Sequence, residues 1–233
     1  MARPGEYCYY KNIGEAGVQH SLGKPFSDGK RGRRLMEVGA VLSLLPPPPA
    51  RILECGCGTG WFAWFLAKSG YDVVAQDVSS HAIRLAQEHP LFTQSPAPEF
   101  VATDFQELDY TNEFEAVVFF DSLHHAINET QAIRAAWRAL RPGGSLVASE
   151  PGVGHARASQ DFAGKYDVTD KDMPPFRIVR LGKKIGFRTA RIYPHADCFG
   201  AALYGRRGIA AASAYTLWHL VLRRRNGIAV LVK

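Results

Sequence analysis

The sequence has few cysteines, no long apolar run and no internal repeat, which argues against disulfide-rich, membrane-spanning and repeat proteins. It contains 4 cysteines in 233 residues, and their spacing suits neither a disulfide framework nor a zinc ribbon. No uninterrupted apolar run reaches the roughly 18 residues that a membrane-spanning helix needs. The first residues, MARPGEYCYYKNIG, hold no apolar signal segment. No repeat of about 20–50 residues is visible, which excludes solenoids and propellers. These absences predict a cytoplasmic globular protein.

The composition is that of an ordinary globular chain. Hydrophobic residues make up 46% and charged residues 21%, enough for a sizeable core in a single domain. The net charge of +6 favours anionic partners, but much of the surplus lies in Lys30–Arg34 and Arg223–Arg225. No motif of a sequence-specific nucleic-acid reader is present. Charge alone therefore identifies no partner.

Strand-like and helix-like segments alternate from residue 51 onward. The strand-like strings are ARILECG, YDVVAQD, EFVATD, FEAVVFFD and SLVASEP, followed later by FRTARIYPH and GIAVLVK. The early strands are apolar on both faces, which is typical of a parallel sheet covered by helices. The sequence predicts a doubly wound, Rossmann-like α/β fold with a seven-stranded, mostly parallel sheet and helices on both faces. The two late strands are expected to form an antiparallel pair at one edge.

The first 50 residues differ from the rest. RRLMEVGAVLSLL predicts an amphipathic helix that ends before Pro46–Pro49, whereas residues 5–29 show no clear periodicity. We expect residues 1–50 to form a lid or helical segment on a core domain of residues 51–233, in one globular unit. Tyr7, Tyr9, Tyr10 and His20 are candidates for the lid.

A glycine-rich turn, Glu54–Gly60 with sequence ECGCGTG, lies between a predicted strand and a predicted helix. Glycines let the chain turn tightly and let a ligand approach the backbone, and the next helix turns its amide groups toward that ligand. A P-loop is excluded, because no GxxxxGK[ST] string occurs. A GxGxxG dinucleotide fingerprint is disfavoured, because its third glycine would be Trp61.

The string Ile52–Gly60 matches the pattern (V/I)L(D/E)xGxGxG and so resembles the first motif of the class I S-adenosylmethionine-dependent methyltransferases. Three more strings follow in that family's order. They are the strand end at Asp77, VATDF with Asp104, and LRPGGSLV at residues 140–147. The resemblance covers about residues 51–151. It implies S-adenosyl-L-methionine as the cofactor and methyl transfer as the activity.

The resemblance also assigns residues to the cofactor. Asp77 is expected to hold the ribose hydroxyls, Asp104 the adenine amino group, and Glu54 a place near the methionine amino group. The full expected set is Glu54, Gly56, Cys57, Gly58, Gly60, Asp77, Val78, Asp104, Phe105 and Asp121. The alternative for the three acids is a structural one, as caps of strand ends or of the glycine turn.

The methyl acceptor is expected beyond the ends of strands four and five, where the strings DSLHH and EPGVGH stand. These strings resemble a bacterial subgroup associated with saccharide modification, which implies a hydroxyl acceptor, a sugar or glycoconjugate among the candidates. An alcohol needs a proton acceptor. His125 or His124 is the first candidate, His155 the next, and Glu150 an orienting carboxylate. No metal is expected; a divalent ion held by Asp121, Glu150 and a histidine is the alternative.

Other functions stay open at this point. The acceptor is alternatively another small metabolite methylated at O, N or C, or the chain is an inactive cofactor-binding partner subunit. RNA or protein methylation is less favoured, because no appended binding domain is visible. The predicted helix Gly208–Arg225 has an apolar stripe with basic tips. That helix could contact a membrane or a lipid-linked substrate, although packing on the sheet or in a homodimer is the simpler interpretation.

Overall fold

The structure is a computed structural model, and it is described for residues 2–195 and 227–233 and for Ala214, Leu217, Trp218 and Val221 between them. The predicted helix Gly208–Arg225 and its arginine cluster lie largely outside the described residues. No helix in the described part of the chain is long and apolar enough to cross a membrane.

The described elements follow the predicted alternation of strands and helices. The helices are α1 Pro4–Asn12, α2 Gly14–Leu22, α3 Arg31–Leu44, α4 Trp61–Lys68, α5 Ser80–Glu88, α6 Glu129–Ala139, α7 His155–Ala158, α8 Gln160–Tyr166 and α9 Pro175–Ile185. The strands are β1 Arg51–Cys55, β2 Asp72–Asp77, β3 Glu99–Ala102, β4 Phe114–Phe120, β5 Leu140–Ser149, β6 Thr189–Pro194 and β7 Gly227–Val232. A 3-10 turn covers Leu123–His125.

The seven strands form one sheet in the order β3-β2-β1-β4-β5-β7-β6. Strands β1 to β5 pair in parallel, and β7 pairs antiparallel with both β5 and β6. The predicted fold class, including the antiparallel pair of late strands, is confirmed. The strand order reverses between β1 and β4, and in such sheets ligands bind beyond the carboxyl ends of the strands at this point.

Apolar side chains of β1 alternate between two buried clusters, one on each face of the sheet. Ile52 packs on one face with Val41 of α3 and Phe62 of α4. Leu53 packs on the other face with Ile133 of α6. Burial of each such side chain contributes roughly 1.5–3 kcal/mol. Because both faces are covered, the ligand-binding groups of the sheet concentrate at its carboxyl edge.

Two local features differ from the sequence-based expectations. Most of residues 4–22 form the helices α1 and α2, although this part of the sequence lacks a clear amphipathic pattern. Strand β5 begins at Leu140, earlier than the predicted strand SLVASEP, and so contains the RPGG string; its pairing with β4 shifts register between Phe114 and Ala116. Ser79 caps the N-terminus of α5, because its hydroxyl accepts the amide N–H of Ala82 at 3.3 Å.

Candidate active site

The turn after β1 has backbone dihedral angles that residues other than glycine rarely adopt. Gly56 has φ +75° and Gly58 has φ +55°. A Cβ at Gly56 would lie 2.6 Å from the Cβ of Ser122, and one at Gly58 would collide with the Tyr10 hydroxyl. The amides of Gly56 and Cys57 both donate to the Gln76 carbonyl, at 2.8 and 2.9 Å. The backbone of Gly56–Gly58, without side chains at its two glycines, thus forms a concave surface, the glycine cradle, which Tyr10 of α1 covers.

Asp77 ends β2 beside this cradle. Its carboxylate accepts the amide N–H of Gly58 and that of Ser79, both at 2.8 Å. Burial raises the pKa of Asp77, and the two backbone hydrogen bonds counteract that shift. Each carboxylate oxygen keeps a second lone pair. The side chain can therefore shape the glycine turn and still receive ribose hydroxyls, so the structural and the ligand-binding interpretations are compatible.

Glu54 lies under the turn with 2% of its surface exposed. Its Oε2 atom is shielded from solvent and has no hydrogen-bond partner among the described residues. Burial, with a smaller contribution from the charge of Asp77, raises the pKa of Glu54 to about 8. A buried carboxyl oxygen without a partner is costly, and a cationic amino group would satisfy it.

Asp104 follows β3 and is also buried. Its carboxylate accepts the backbone N–H of Gln106 at 2.9 Å and the side-chain amide of Gln106 at 3.1 Å. The adjacent Phe105 ring meets Phe119 edge-on, with ring centroids 5.6 Å apart. Asp104 and Phe105 line the same cavity as Asp77.

That cavity has a volume of about 410 Å³, which is the size class of small-molecule sites. The expected site residues that line it are Gly56, Gly58, Asp77, Val78, Asp104, Phe105, Asp121, His124, His125 and His155. Cys57 lines a smaller neighbouring cavity of about 80 Å³. Glu54, Gly60 and Glu150 line neither of these two cavities. Most of the residues expected at the cofactor and the three histidines therefore line one cavity.

Glu150, at the end of β5, orients the 3-10 turn and its first histidine. Its carboxylate accepts the amide N–H groups of Ser122, Leu123 and His124 at 3.0, 2.8 and 3.2 Å. It also accepts the Nδ1–H of His124 at 2.8 Å. Burial lowers the pKa of His124, but its hydrogen bond to Glu150 and the charge of that carboxylate outweigh burial and raise the pKa. Glu150 is a positioning residue, and His124 presents Nε2 on its other side.

His125 has the opposite electrostatic setting. Its Nδ1–H donates to the Thr169 carbonyl at 2.5 Å, so its Nε2 carries the free lone pair. Burial, followed by the charge of His124, lowers the pKa of His125 to about 3. The imidazole is therefore neutral at physiological pH. The pKa values of the two neighbouring histidines are thus shifted in opposite directions, because a carboxylate outweighs burial at His124 and burial dominates at His125.

His155 begins α7 and lies near Asp170, a residue of the loop before α9. His155 Nε2 is 2.7 Å from Asp170 Oδ1, and His124 Nε2 is 3.9 Å from the same oxygen. The rings of His124 and His155 meet edge-on at a centroid distance of 5.1 Å. Asp170 was not singled out from the sequence. The acid-rich string DVTDKD at 167–172 was its one available signal.

Asp121 follows β4 and is paired with a cation. Its Oδ2 lies 3.2 Å from Arg34 Nη2 of α3. Burial raises the pKa of Asp121, but the charges of His124, Arg34 and Lys24 outweigh burial and hold it at about 2. Asp121 is thus an ionised cavity residue held by α3. Arg34 and Lys24 were not predicted as site residues.

Helix α1 closes the cavity from above the strand ends. Glu6, Tyr9 and Tyr10 line the cavity. Glu6 Oε1 accepts the amide N–H of Thr169 at 2.7 Å and lies 3.7 Å from His125 Nδ1. Burial raises the pKa of Glu6 to about 7. Of the expected lid tyrosines, Tyr7 is exposed, and its backbone carbonyl accepts the Ser79 hydroxyl at 3.3 Å.

Comparison with known proteins points to one kind of domain. Residues 52–144 match the model of a methyltransferase domain. A ubiquinone biosynthesis O-methyltransferase of Xanthomonas oryzae is 34% identical over 118 residues, 50% of this chain and 48% of that protein. An S-adenosyl-L-methionine-dependent Diels-Alderase of Talaromyces variabilis is 32% identical over 130 residues, 54% of this chain and 44% of that protein. The matches thus span less than half of the length of these relatives.

Solved structures with the same fold include proteins of several activities. Phosphoethanolamine N-methyltransferase 2 of Haemonchus contortus, in complex with S-adenosyl-L-methionine, superposes with a TM-score of 0.68 at 17% identity. That alignment covers 98% of this chain and 59% of the other. The [4+2]-cyclase SpnF superposes with a TM-score of 0.58 at 20% identity over 94% of each chain. At such identities the likeness shows the fold alone.

Proposed function

Since this chain contains a class I S-adenosylmethionine-dependent methyltransferase domain, we propose that it transfers the cofactor's methyl group to a hydroxyl of a small-molecule acceptor. One observation carries the proposal. Gly56 and Gly58 of the glycine turn share one cavity with Asp77 and Asp104, which are expected at the cofactor, and with His124, His125 and His155. A cofactor site and a candidate proton acceptor thus face the same space.

The residues present fit the cofactor. The turn at Gly56 and Gly58 leaves room that a Cβ would fill, and the buried Oε2 of Glu54 has no partner among the described residues. Asp77 and Asp104 lie at the ends of the neighbouring strands β2 and β3. The carboxylate of Asp77 would accept the ribose hydroxyls, and that of Asp104 would accept the adenine amino group. When bound, S-adenosylmethionine supplies an electrophilic methyl group on a sulfonium and leaves as a neutral thioether.

His125 is our candidate for the proton acceptor. The acceptor hydroxyl would give its proton to His125 Nε2 while its oxygen bonds to the methyl carbon and the carbon–sulfur bond breaks. The low pKa of His125 does not prevent this step, because a hydroxyl oxygen that is bonding to a methyl group is far more acidic than a free hydroxyl. Glu150 contributes indirectly, by fixing the turn that carries the histidine.

We propose that residues 1–50 act as a lid on this cavity. Tyr10 covers the glycine turn, and Glu6 connects α1 to the loop at Thr169. Exclusion of water by such a segment would strengthen the electrostatic interactions inside the cavity. Saccharide or glycoconjugate acceptors are the finer proposal, which the resemblance of the DSLHH and EPGVGH strings supports. The O-methyltransferase relative supports oxygen as the methylated atom.

The function is tested by incubating the protein with methyl-labelled S-adenosylmethionine and separate panels of sugar nucleotides, glycolipids, phenols and amines. We expect S-adenosylhomocysteine and a labelled O-methyl product in equal amounts, identified by mass spectrometry and NMR. Label on nitrogen or carbon would contradict the hydroxyl acceptor. Cofactor binding without any S-adenosylhomocysteine would contradict methyl transfer and favour a cofactor-dependent cyclase, as the Diels-Alderase relative suggests, or an inactive partner subunit.

Cofactor binding is expected to release a proton from Glu54. With a pKa of about 8, this carboxyl is mostly protonated at pH 7 in the free protein. A cationic amino group beside it would lower that pKa below 7, so the bound form is ionised and affinity rises with pH up to about 8. Calorimetry at pH 7 in buffers of different ionisation enthalpy counts the protons released.

The matched variant for this prediction is Glu54→Gln, which cannot lose a proton. We expect it to release nearly one proton less than the wild-type protein and to bind the cofactor more weakly. Glu99→Gln, at the exposed start of β3, is the control and should match the wild type. Equal proton counts for the wild type and Glu54→Gln would contradict the assignment of Glu54.

A further inference from the structure

Three metal-ligating side chains from three separate segments meet on the acceptor side of the cavity. His124 comes from the 3-10 turn after β4, His155 from the start of α7, and Asp170 from the loop before α9. One ligand atom of each lies within 4.8 Å of the others. Two imidazoles and one carboxylate are a donor set that first-row divalent transition metals prefer.

The orientation of His124 matches that of a metal ligand. Its Nδ1–H donates to Glu150 at 2.8 Å, which turns Nε2 toward His155 and Asp170. Histidine ligands in proteins usually donate their other ring N–H to a carboxylate or carbonyl in this way. Glu150 is itself fixed by three backbone N–H groups. These hydrogen bonds therefore fix the orientation of the His124 imidazole without a bound ion.

The other two ligand atoms lack satisfactory partners. His155 Nε2 and Asp170 Oδ1 are shielded from solvent, and neither makes a well-formed hydrogen bond within the described part of the chain. They are only 2.7 Å apart, so the pair is close but poorly aligned. Two shielded polar atoms in this arrangement can both be satisfied by a third atom placed between them and His124.

We propose that His124 Nε2, His155 Nε2 and the Asp170 carboxylate bind one divalent transition-metal ion of the zinc type. This set differs from the alternative considered from the sequence, because Asp121 is paired with Arg34 and the carboxylate of Glu150 is occupied by N–H donors. Three protein ligands leave a coordination position open on the ion.

Because His124, His155 and Asp170 all line the cavity, a bound ion would be able to take the oxygen of the acceptor as a further ligand. This role rests on the proposed function. A metal-bound hydroxyl is more acidic than a free one and has a fixed direction, so the ion would assist deprotonation and would orient the acceptor. The class of acceptor that benefits is one with a hydroxyl, alone or beside a second oxygen donor.

The metal site is tested with cobalt(II) on the full chain after chelator treatment and removal of the chelator. We expect one equivalent of Co²⁺ to bind, with a visible absorption spectrum typical of mixed nitrogen and oxygen ligands, and Zn²⁺ to displace it. Asp170→Asn and His155→Ala should each weaken Co²⁺ binding at least about 10-fold. Glu150→Gln should weaken it by about 10–100-fold, as other changes to the partners of ligating histidines do.

The control is His81→Ala, which removes a histidine of α5 whose ring contacts Arg84 at 3.4 Å. It should bind Co²⁺ as the wild type does. Absence of stoichiometric uptake, or equal uptake by Asp170→Asn and the wild type, would overturn the proposal and leave a metal-free His155–Asp170 pair. Calorimetric titration with S-adenosylmethionine on the same samples separates the two proposals, because loss of the metal site leaves cofactor binding intact.

Discussion

Replacement of Asp77 by alanine is expected to weaken S-adenosylmethionine binding by roughly 10²–10⁴-fold. In its proposed role the carboxylate accepts two ribose hydroxyls, and each hydrogen bond to a charged group contributes about 1.5–3 kcal/mol. The same carboxylate also holds the amides of Gly58 and Ser79, so its loss disturbs the glycine turn as well as the sugar contact. Isothermal titration calorimetry measures the affinity directly.

Asp77→Asn changes both contacts less than alanine does. Its single acceptor oxygen can accept the amide N–H of Gly58 or that of Ser79 but not both, so we expect a modestly lower thermal unfolding midpoint. We expect the protein to stay folded and its affinity to fall more than about tenfold, because the negative charge and one acceptor oxygen are lost. Asp72→Asn changes an exposed carboxylate at the first residue of β2 and should bind as the wild type does. A folded Asp77→Asn protein with unchanged affinity would show that this aspartate only shapes the turn.

The part of the site on the parallel strands was predictable because the strand-and-helix rhythm fixes where each strand ends. Asp77, Asp104 and Glu150 all follow apolar runs whose carboxyl ends must meet at one edge of a parallel sheet. The glycine spacing then indicated where a ligand approaches the backbone. Local patterns sufficed here because each residue is positioned by its own strand.

The rest of the site depends on contacts between segments that are distant in sequence. Asp170 meets His155 only because the loop before α9 folds back beside the end of β5. Helix α1 is defined by its packing on α5 and α8 and not by an apolar stripe of its own, so its cover over Gly58 has no signature in the sequence. The opposite pKa shifts of His124 and His125 likewise depend on the burial of each ring and on which oxygen each ring faces, and neither can be read from the sequence.

Removal of the imidazole of His125 is expected to lower kcat by about 10²–10⁴-fold, the usual contribution of general acid–base catalysis. His125→Asn is the sharper variant, because its side-chain amide can still donate to the Thr169 carbonyl while the Nε2 lone pair is lost. Both His125→Asn and His125→Ala should bind S-adenosylmethionine with the affinity of the wild type, because the expected cofactor contacts lie on the glycine turn, Asp77 and Asp104. The measurement is single-turnover methyl transfer to the best acceptor found, at saturating cofactor.

The pattern of loss distinguishes proton acceptance from positioning. If His125 only supports the loop at Thr169, His125→Asn should retain activity and His125→Ala should lose it, because the amide preserves that hydrogen bond. If Nε2 takes the proton, both variants lose kcat alike, although His125→Asn unfolds at the wild-type temperature. His81→Ala serves again as the control for removal of a histidine outside the cavity. Full activity in both His125 variants would exclude His125 as the proton acceptor.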